Sequence, residues 1–155
     1  MNYPRILLAD DHIIVSQGLQ SLLEGEFEVV GIVTNGRALI DAAKRLKPDA
    51  IVADISMPIM NGIDAVRQLR LGGETAKVVF LTMHNDPQIA LEAFRAGATG
   101  YVLKQSAGDE LIAAIHTSLA GGTHLTPAVA EELRQLLLVS GKETEEEVAQ
   151  HIQRR

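Results

Sequence analysis

Acidic, hydroxyl and ammonium side chains follow or end four separate apolar segments of this 155-residue sequence. Asp10 and Asp11 follow the first segment, and Asp54 ends the third. Thr82 ends the fourth segment and Lys104 the fifth. The carboxyl ends of parallel strands meet at one edge of a sheet, where the working sites of such folds lie. We therefore expect these five side chains to converge on one site.

The chemistry of that site follows from the residue types. Clustered carboxylates repel one another unless a cation neutralises them. Mg²⁺ suits such a cluster, because it prefers oxygen ligands and binds one or two carboxylates together with water and substrate oxygens. An aspartate beside this cation can attack phosphorus and form an aspartyl phosphate. Phosphoryl transfer needs little beyond positioning and charge neutralisation, which Lys104, Thr82 and the metal would supply.

The elements that must position these side chains alternate along the sequence. Five short apolar runs rich in β-branched residues predict strands, and helical spacing predicts a helix after each one. The predicted strands are residues 6–9, 29–33, 50–54, 78–82 and 101–104. Because the runs are apolar throughout, we expect strands buried on both faces of a parallel sheet. This pattern predicts a doubly wound α/β domain over roughly residues 4–122.

Polar residues mark where several of the predicted helices begin. Asn61 is placed to cap the third helix, and Asp86 to cap the fourth with Pro87 at its first position. Ser106 and Asp109 have the spacing of a capping box for the fifth helix.

The C-terminal region divides from this domain at Gly121-Gly122, which closes the fifth helix. Thr126-Pro127 opens a sixth helix with an apolar face that includes Leu133 and Leu137. That helix could pack on the domain, bridge two subunits or lead to another domain; we favour a linker or dimer role. The predicted division is a domain of residues 1–122, then a linker helix and charged tail over residues 123–155. Thr144 and Glu147 could form a capping box in that tail.

Composition excludes several classes of protein. The sequence contains no cysteine, which excludes disulfides, a thiol nucleophile and cysteine-ligated metal sites. Apolar residues make up 46% and charged residues 22%, the mixture of a globular domain rather than a disordered chain. No apolar run approaches the roughly 18–20 residues of a membrane span, so we expect a soluble cytoplasmic protein. The net charge of −6 gives no electrostatic reason to expect DNA binding by the chain itself.

Histidines are not predicted to form a metal site. The five histidines are scattered along the sequence without metal-ligand spacing. No glycine-rich phosphate loop follows the first predicted strand.

Asp10-Asp11, Asp54, Thr82 and Lys104, in this order, resemble the receiver domain of two-component response regulators. They match that family's acidic pair, phosphoacceptor, switch hydroxyl and lysine, and the resemblance covers about residues 4–122. Further motifs resemble the receivers of LuxR/NarL-type transcriptional regulators: Asp10-Asp11-His12, Asp54-Ile55-Ser56-Met57-Pro58, Asn61-Gly62, Ala96-Gly97-Ala98-Thr99-Gly100-Tyr101 and Leu125-Thr126-Pro127.

The resemblance implies a flavodoxin-like, five-stranded parallel sheet of order 2-1-3-4-5, helices on both faces and an extra C-terminal helix. It implies that Asp54 accepts a phosphoryl group from a sensor histidine kinase. Asp11, Asp54 and the backbone carbonyl of Ser56 would bind Mg²⁺ directly, and Asp10 through water.

The family's conformational switch would fall on two residues. Thr82 would turn towards the phosphoryl group and Tyr101 would follow from outside to inside; Tyr101 could instead be only a packing residue. The switch would reshape the face formed by the fourth helix, fifth strand and fifth helix, and we expect a homodimer on phosphorylation.

Three features depart from the family pattern. Lys104 is followed by Gln105, where many receivers have proline after a cis peptide bond, so the sequence does not set this loop's geometry. Ser56 and His84 stand where the family tunes dephosphorylation. No helix-turn-helix is readable in residues 142–155, so we expect either a stand-alone receiver or, as we favour, a piece cut within the linker, whose output domain would bind DNA.

Two other functions stay open. A phosphohydrolase of the haloacid-dehalogenase type would need a second aspartate where Ser56 stands. A receiver-like module could also bind partners without phosphorylation. We favour a signalling switch whose only catalysis is self-phosphorylation and autodephosphorylation at Asp54. For Asp10 and Asp11 taken alone, capping of the first helix is the simpler interpretation.

Overall fold

The structure is a computed structural model that describes residues 2–140. Strands and helices alternate from the N-terminus onwards. Their bounds are β1 Arg5–Ala9, α1 Ile13–Leu23, β2 Glu28–Val33, α2 Gly36–Leu46, β3 Ala50–Ala53, α3 Gly62–Leu71, β4 Lys77–Thr82, α4 Pro87–Ala96, β5 Gly100–Leu103, α5 Ala107–Leu119, β6 His124–Leu125 and α6 Pro127–Ser140, with a short 3₁₀ turn at Lys104–Ser106 between β5 and α5.

All neighbouring strands pair in parallel, in the order β2-β1-β3-β4-β5-β6. The doubly wound α/β fold and the order 2-1-3-4-5 are confirmed. The prediction of five strands was wrong, because β6 adds a sixth at the β5 edge. This strand has only two residues, and its sequence contains no apolar run that could reveal it.

The helices cover the sheet on both faces. One core joins Leu7, Ile51 and Phe80 of the sheet to buried residues of α2, α3, α4 and α6. The other core joins alternate strand residues, such as Ile6 and Val52, to buried residues of α1 and α5. This two-sided burial explains why β1, β3, β4 and β5 read as continuous apolar runs.

Strand β2 departs from the expectation of burial on both faces. It lies at the edge of the sheet, and none of its residues is fully buried. Ile32 is 39% exposed. An edge strand has a neighbour on one side only, so part of it faces solvent although its sequence is apolar.

The helix starts confirm two of the predicted caps. The Asn61 side chain accepts a hydrogen bond from the Asp64 N–H, and Asp86 accepts one from the Gln88 N–H. The predicted Ser106 cap was wrong, because its side chain makes no capping hydrogen bond. The chain enters α5 through the 3₁₀ turn, so Ser106 lacks the extended backbone that a capping residue needs.

Helix α6 packs on the domain beside α4. Val129, Leu133 and Leu137 are at most 1% exposed and belong to the same core as Ala90 and Ala93 of α4. The expectation that these three residues make dimer contacts was therefore wrong, whereas the linker role of the helix stays a prediction. The apolar spacing revealed the face of the helix but not the surface that covers it.

No helix in residues 2–140 is long and apolar enough to cross a membrane. The capping box predicted for Thr144 and Glu147, and the charged tail around it, lie outside the described residues.

Candidate functional site

The predicted site forms at the edge of the sheet where β1, β3, β4 and β5 end. Asp10 and Asp54 are the first residues after β1 and β3, and Thr82 is the last residue of β4. Lys104 directly follows β5. The Asp54 N–H donates to the Ala9 carbonyl at 2.8 Å, which carries the β1–β3 pairing one residue beyond β3. The strand register thus brings residues far apart in sequence to one edge.

Lys104 lies between two buried carboxylates. Its Nζ is 2.9 Å from Oδ2 of Asp10 and 2.9 Å from Oδ2 of Asp54. The aspartate side chains are 3% and 5% exposed and that of Lys104 is 12% exposed. Burial lowers the pKa of Lys104, but the hydrogen bonds and charges of Asp10 and Asp54 outweigh it, so the pKa lies above that of a free lysine. The ammonium is therefore charged at neutral pH.

Asp10 also organises the start of α1. Its Oδ1 accepts a hydrogen bond from the His12 N–H at 2.8 Å, while its Oδ2 contacts Lys104. The N-cap of α1 is His12, and Asp10 bonds to the His12 N–H before the helix begins, so the interpretation of Asp10 and Asp11 as caps of this helix was wrong.

His12 joins the acidic cluster, contrary to the sequence analysis. Its Nδ1 lies 3.2 Å from Oδ1 of Asp10 and 3.2 Å from Oδ1 of Asp11. One ligand atom from each of Asp10, Asp11, His12 and Asp54 lies within 4.8 Å of the others. The position of His12 directly after the acidic pair was the available signal. The other four histidines are scattered along the sequence, so histidine spacing gave no indication that His12 joins the cluster.

The donor set fits a hard divalent cation. Three carboxylates face one ammonium, so the cluster keeps excess negative charge after Lys104 is paired. Asp11 is the open side of the cluster, since its side chain is 32% exposed. Carboxylate oxygens with access to water are the ligands that Mg²⁺ prefers in proteins.

The loop after β3 holds Asp54 in place. The Ser56 N–H donates to Asp54 Oδ1 at 3.3 Å, and the Gly62 N–H donates to the Ile55 carbonyl at 2.8 Å. A side chain at Gly62 would collide with the Asp54 carbonyl, so only glycine lets α3 start this close to the loop. Between Ile55 and Gly62 the chain turns at Ile59, whose φ is 71°. The turn after Met57-Pro58 is thus completed by a backbone conformation that is rare for a β-branched residue.

His84 connects three other residues of the predicted site. Its N–H donates to the Thr82 hydroxyl at 3.1 Å, and its Nε2 is 2.7 Å from the Ser56 hydroxyl. Its carbonyl accepts the Tyr101 O–H at 2.7 Å. Thr82 and Tyr101 therefore share the loop residue His84, which also contacts the residue two places after Asp54.

Tyr101 lies inside the protein. Its side chain is 0% exposed, and burial, followed by the charge of Asp86, raises its pKa above that of a free phenol. The resemblance implied a move from outside to inside; the described conformation is the inward one.

A cavity of about 570 Å³ opens beside the acidic cluster between α3 and α4. Asp11 and Ser56 line its inner end, and Arg67 and Glu92 lie further along the two helices. The Lys104–Gln105 peptide bond at the other side of the site is trans, like the rest of residues 2–140. The cavity therefore reaches the acidic cluster at its exposed member, Asp11, while the buried Asp10 and Asp54 lie behind it.

The family model of the response regulator receiver domain matches residues 6–116. The chain belongs to this family. The matched range contains the acidic cluster, Thr82, Tyr101 and Lys104.

Relatives of this receiver domain are transcriptional regulators. It is 37% identical over 130 residues to the regulatory protein UhpA of Escherichia coli, covering 83% of this chain and 65% of UhpA. It is 33% identical over 147 residues to the nitrate/nitrite response regulator NarL of Escherichia coli, covering 94% of this chain and 68% of NarL. The chain spans 62% of YdfI and 60% of LnrK, two regulators of Bacillus subtilis.

Solved receivers share the fold. A LuxR-family response regulator from Aurantimonas sp. SI85-9A1 superposes with a TM-score of 0.84 at 35% identity, covering 88% of this chain and 99% of that one. The isolated receiver domain of RcsB from Salmonella enterica, with the phosphomimetic BeF₃⁻, gives a TM-score of 0.77 at 29% identity, covering 85% and 99%. The chain is therefore a two-component receiver domain of the NarL/LuxR type.

Proposed function

We propose that this receiver accepts a phosphoryl group on Asp54 from the phosphohistidine of a sensor kinase, with Mg²⁺. The observation that carries the proposal is the placement of Asp54 in a buried carboxylate cluster that also contacts Lys104. The Lys104 ammonium balances part of the negative charge of Asp10 and Asp54, and the cavity opens at the neighbouring Asp11. The Ser56 N–H and the Lys104 ammonium each bond to one oxygen of Asp54, which holds the carboxylate in position for attack.

The chain's own residues perform the transfer by positioning. A carboxylate oxygen of Asp54 attacks phosphorus, the phosphorus–nitrogen bond of the donor breaks, and its electron pair returns to the donor histidine. Lys104 follows the developing charge on the phosphoryl oxygens, since an ammonium on a flexible stem can adjust its position. Thr82 can donate its hydroxyl to the same group once it turns from the His84 N–H.

Asp11 and Asp54 would hold Mg²⁺ directly with the Ser56 carbonyl, and Asp10 would act through water. When bound, the cation neutralises negative charge on the carboxylates and phosphoryl oxygens. His12 lies within the same cluster and would orient Asp10 and Asp11.

The kinase would dock on an apolar rim around this charged cleft. Ile13 and Ile14 at the start of α1 are 66% and 83% exposed. Ile59 and Met83, in the loops after β3 and β4, are 80% and 73% exposed. Large exposed apolar side chains beside a functional cleft are typical of a surface that another protein covers.

The response to phosphorylation would pass through the loop between β4 and α4. Thr82 and Tyr101 meet at His84 in this loop, so a turn of Thr82 towards the phosphoryl group would disturb the Tyr101 hydrogen bond. We infer that this reshapes the surface of α4, β5 and α5 and favours a homodimer. Transcription would be controlled through an output domain like those of the regulators that it resembles, with no DNA contact by this chain.

The proposal is tested by molecular mass in solution, measured by sedimentation with and without Mg²⁺ and beryllofluoride. We expect the parent chain to shift towards a dimer only with both additions, and the Asp54→Asn chain to remain unchanged. A parent that binds neither addition would favour a phosphorylation-independent interaction module. Continuous release of phosphate from acetyl phosphate at a high turnover rate would instead favour a phosphohydrolase.

A further inference from the structure

Thr126 lies where β6 becomes α6, and its backbone serves both elements. Its N–H donates to the Tyr101 carbonyl at 3.0 Å, which extends the β5–β6 pairing by one residue. Its carbonyl turns the other way and accepts the N–H groups of Val129 and Ala130 at 3.0 Å each. This carbonyl therefore begins the hydrogen bonding of α6.

The Thr126 hydroxyl acts as acceptor in place of the Thr126 carbonyl, which bonds within α6 and not to β5. In a continued parallel ladder, the Leu103 N–H would bond to a backbone carbonyl of the neighbouring strand. Here it donates instead to the Thr126 hydroxyl at 3.2 Å, in a buried environment. A buried N–H without an acceptor would cost free energy, so the hydroxyl satisfies a donor at the end of β5.

Glu110 completes this arrangement from α5. One oxygen, Oε1, accepts the Thr126 O–H at 3.1 Å and lies 2.8 Å from Nε2 of His124. The Glu110 and His124 side chains are 19% and 23% exposed. The three side chains tie β6 and the start of α6 to both β5 and α5. We call Glu110, His124 and Thr126 the polar junction.

The polar junction contacts β5 beside two residues of the predicted site: the Thr126 N–H donates to the Tyr101 carbonyl, and the Thr126 hydroxyl accepts the N–H of Leu103. Leu103, whose N–H it holds, immediately precedes Lys104, whose Nζ contacts Asp54. At its other end the junction starts α6, whose residues Leu133 and Leu137 are buried in the core shared with α4. Lys104 is therefore the direct neighbour, in sequence, of the residue whose N–H bonds to Thr126 at the start of α6.

We propose that the polar junction couples occupancy of the Asp54 site to the packing of α6 on α4, with Thr126 as the positioning residue. The inference rests on the proposed phosphorylation of Asp54. Occupancy of the site changes the Lys104 contact with Asp54 and the hydrogen bond between Tyr101 and His84. Thr126, which bonds to the Tyr101 carbonyl and the Leu103 N–H, passes the resulting displacement of β5 to the first turn of α6.

The test is hydrogen exchange of the full chain, followed by mass spectrometry, with and without Mg²⁺ and beryllofluoride. We compare the parent with Thr126→Val, which removes the hydroxyl at nearly constant size, and Thr126→Ser, which keeps it. We expect occupancy to change exchange in α6 of the parent and the serine variant, and the valine variant to show a change smaller by about fivefold, the effect of one hydrogen bond. A valine variant with the full change would overturn the proposal.

A purely structural role of Thr126 predicts a different result. It would lower the protection of the α6 amides from exchange equally with and without Mg²⁺ and beryllofluoride. The difference in exchange between the two conditions would then stay as large as in the parent. Glu110→Gln provides a second arm if the valine variant does not fold, because it keeps the size of the side chain and removes its charge. We expect it to reduce the difference as well, and an unchanged difference contradicts coupling.

Acetyl phosphate separates this inference from the proposed function. Incorporation of one phosphoryl group into the parent and both threonine variants, measured as intact mass, shows that acceptance is independent of the junction. If the parent itself takes no phosphoryl group, the proposed function fails. If the parent is modified but occupancy leaves α6 exchange unchanged, only the coupling fails.

Discussion

Lys104 Nζ lies 2.9 Å from Asp54 Oδ2, although 50 residues separate the two in sequence. The same ammonium lies 2.9 Å from Oδ2 of Asp10. The negative charges of two buried carboxylates are therefore balanced largely by one ammonium, and that ammonium belongs to the residue that follows β5. This relationship makes Lys104 the residue on which both the charge balance of the site and its link to β5 depend.

Replacement of Lys104 should slow phosphorylation more than it alters the fold. Lys104→Gln removes the ammonium that stabilises charge on the phosphoryl oxygens. We expect the rate of Asp54 modification by acetyl phosphate to fall by about 100-fold, as when one electrostatic donor is lost from an active site. Intact mass measured over time gives the rate, and Lys44→Gln, at an exposed lysine of α2, is the control. Equal rates in the two variants would contradict this role.

Mg²⁺ should stabilise the folded chain by binding to the acidic cluster. A ligand at about 100 times its dissociation constant adds about 2.7 kcal/mol to the free energy of unfolding. We expect the thermal midpoint of the parent to rise with MgCl₂ relative to NaCl of equal ionic strength. Asp11→Asn should abolish most of the increase, whereas Asp64→Asn, on α3 outside the cluster, should keep it. An increase that persists in Asp11→Asn would place the metal elsewhere.

Tyr101 should make the fold sensitive to alkaline pH. Its pKa in the folded chain lies above the value of about 10 of an unfolded tyrosine. Below about pH 10 the tyrosine is protonated in both the folded and the unfolded chain, and its contribution to the free energy of unfolding is constant. Above about pH 10 the unfolded chain loses a proton that the folded chain keeps. The free energy of unfolding then falls by about 1.4 kcal/mol per pH unit for this one group.

Tyr101→Phe tests this dependence, because phenylalanine keeps the ring and cannot ionise. Urea unfolding from about pH 9 to pH 11 should show a shallower decline in the variant than in the parent. At neutral pH the variant should be less stable by about 0.5–1.5 kcal/mol, since the part-buried His84 carbonyl loses its donor. Parallel declines in the two chains would contradict the burial of the phenol.

The packing of α6 predicts a stability difference between two of its leucines. Leu133 is 0% exposed and Leu138 is 38% exposed. Leu133→Ala should lower the free energy of unfolding by about 2–5 kcal/mol, because it leaves a cavity in the core shared with α4. Leu138→Ala should cost much less. Equal, small effects in urea unfolding would mean that α6 is only loosely attached.

Sequence patterns predicted the strands and the acidic site for one physical reason. A strand buried on both faces must be apolar throughout, so its end is visible as the first polar residue. Asp54 and Lys104 stand out in this way, and parallel topology places such ends together. Strand ends can be located without knowledge of side-chain conformation, which is why the sequence correctly placed these side chains together.

The features that sequence did not predict depend on local geometry or on single contacts. Strand β6 is too short to carry a periodic signal, and His12 joins the cluster through the particular turn between β1 and α1. The hydrogen bond between Thr126 and Leu103 exists because the Thr126 carbonyl turns into α6. No spacing rule encodes that exchange of a backbone acceptor for a hydroxyl.

The sequence also does not predict which surface α6 packs against. Its apolar spacing gives the same pattern whether the helix covers α4, a second subunit or another domain. The short connection through β6 positions the helix so that Leu133 packs in the core shared with α4. A two-residue strand therefore determines the position of a fourteen-residue helix.

The most direct test of the central claim is the intact mass of the chain after incubation with Mg²⁺ and acetyl phosphate. We expect one added phosphoryl group on the parent and on Asp64→Asn, and none on Asp54→Asn. Chelation of Mg²⁺ should prevent the addition. A parent that stays unmodified, or an Asp54→Asn chain that gains the group as readily as the parent, would contradict the assignment of Asp54 as the phosphoacceptor.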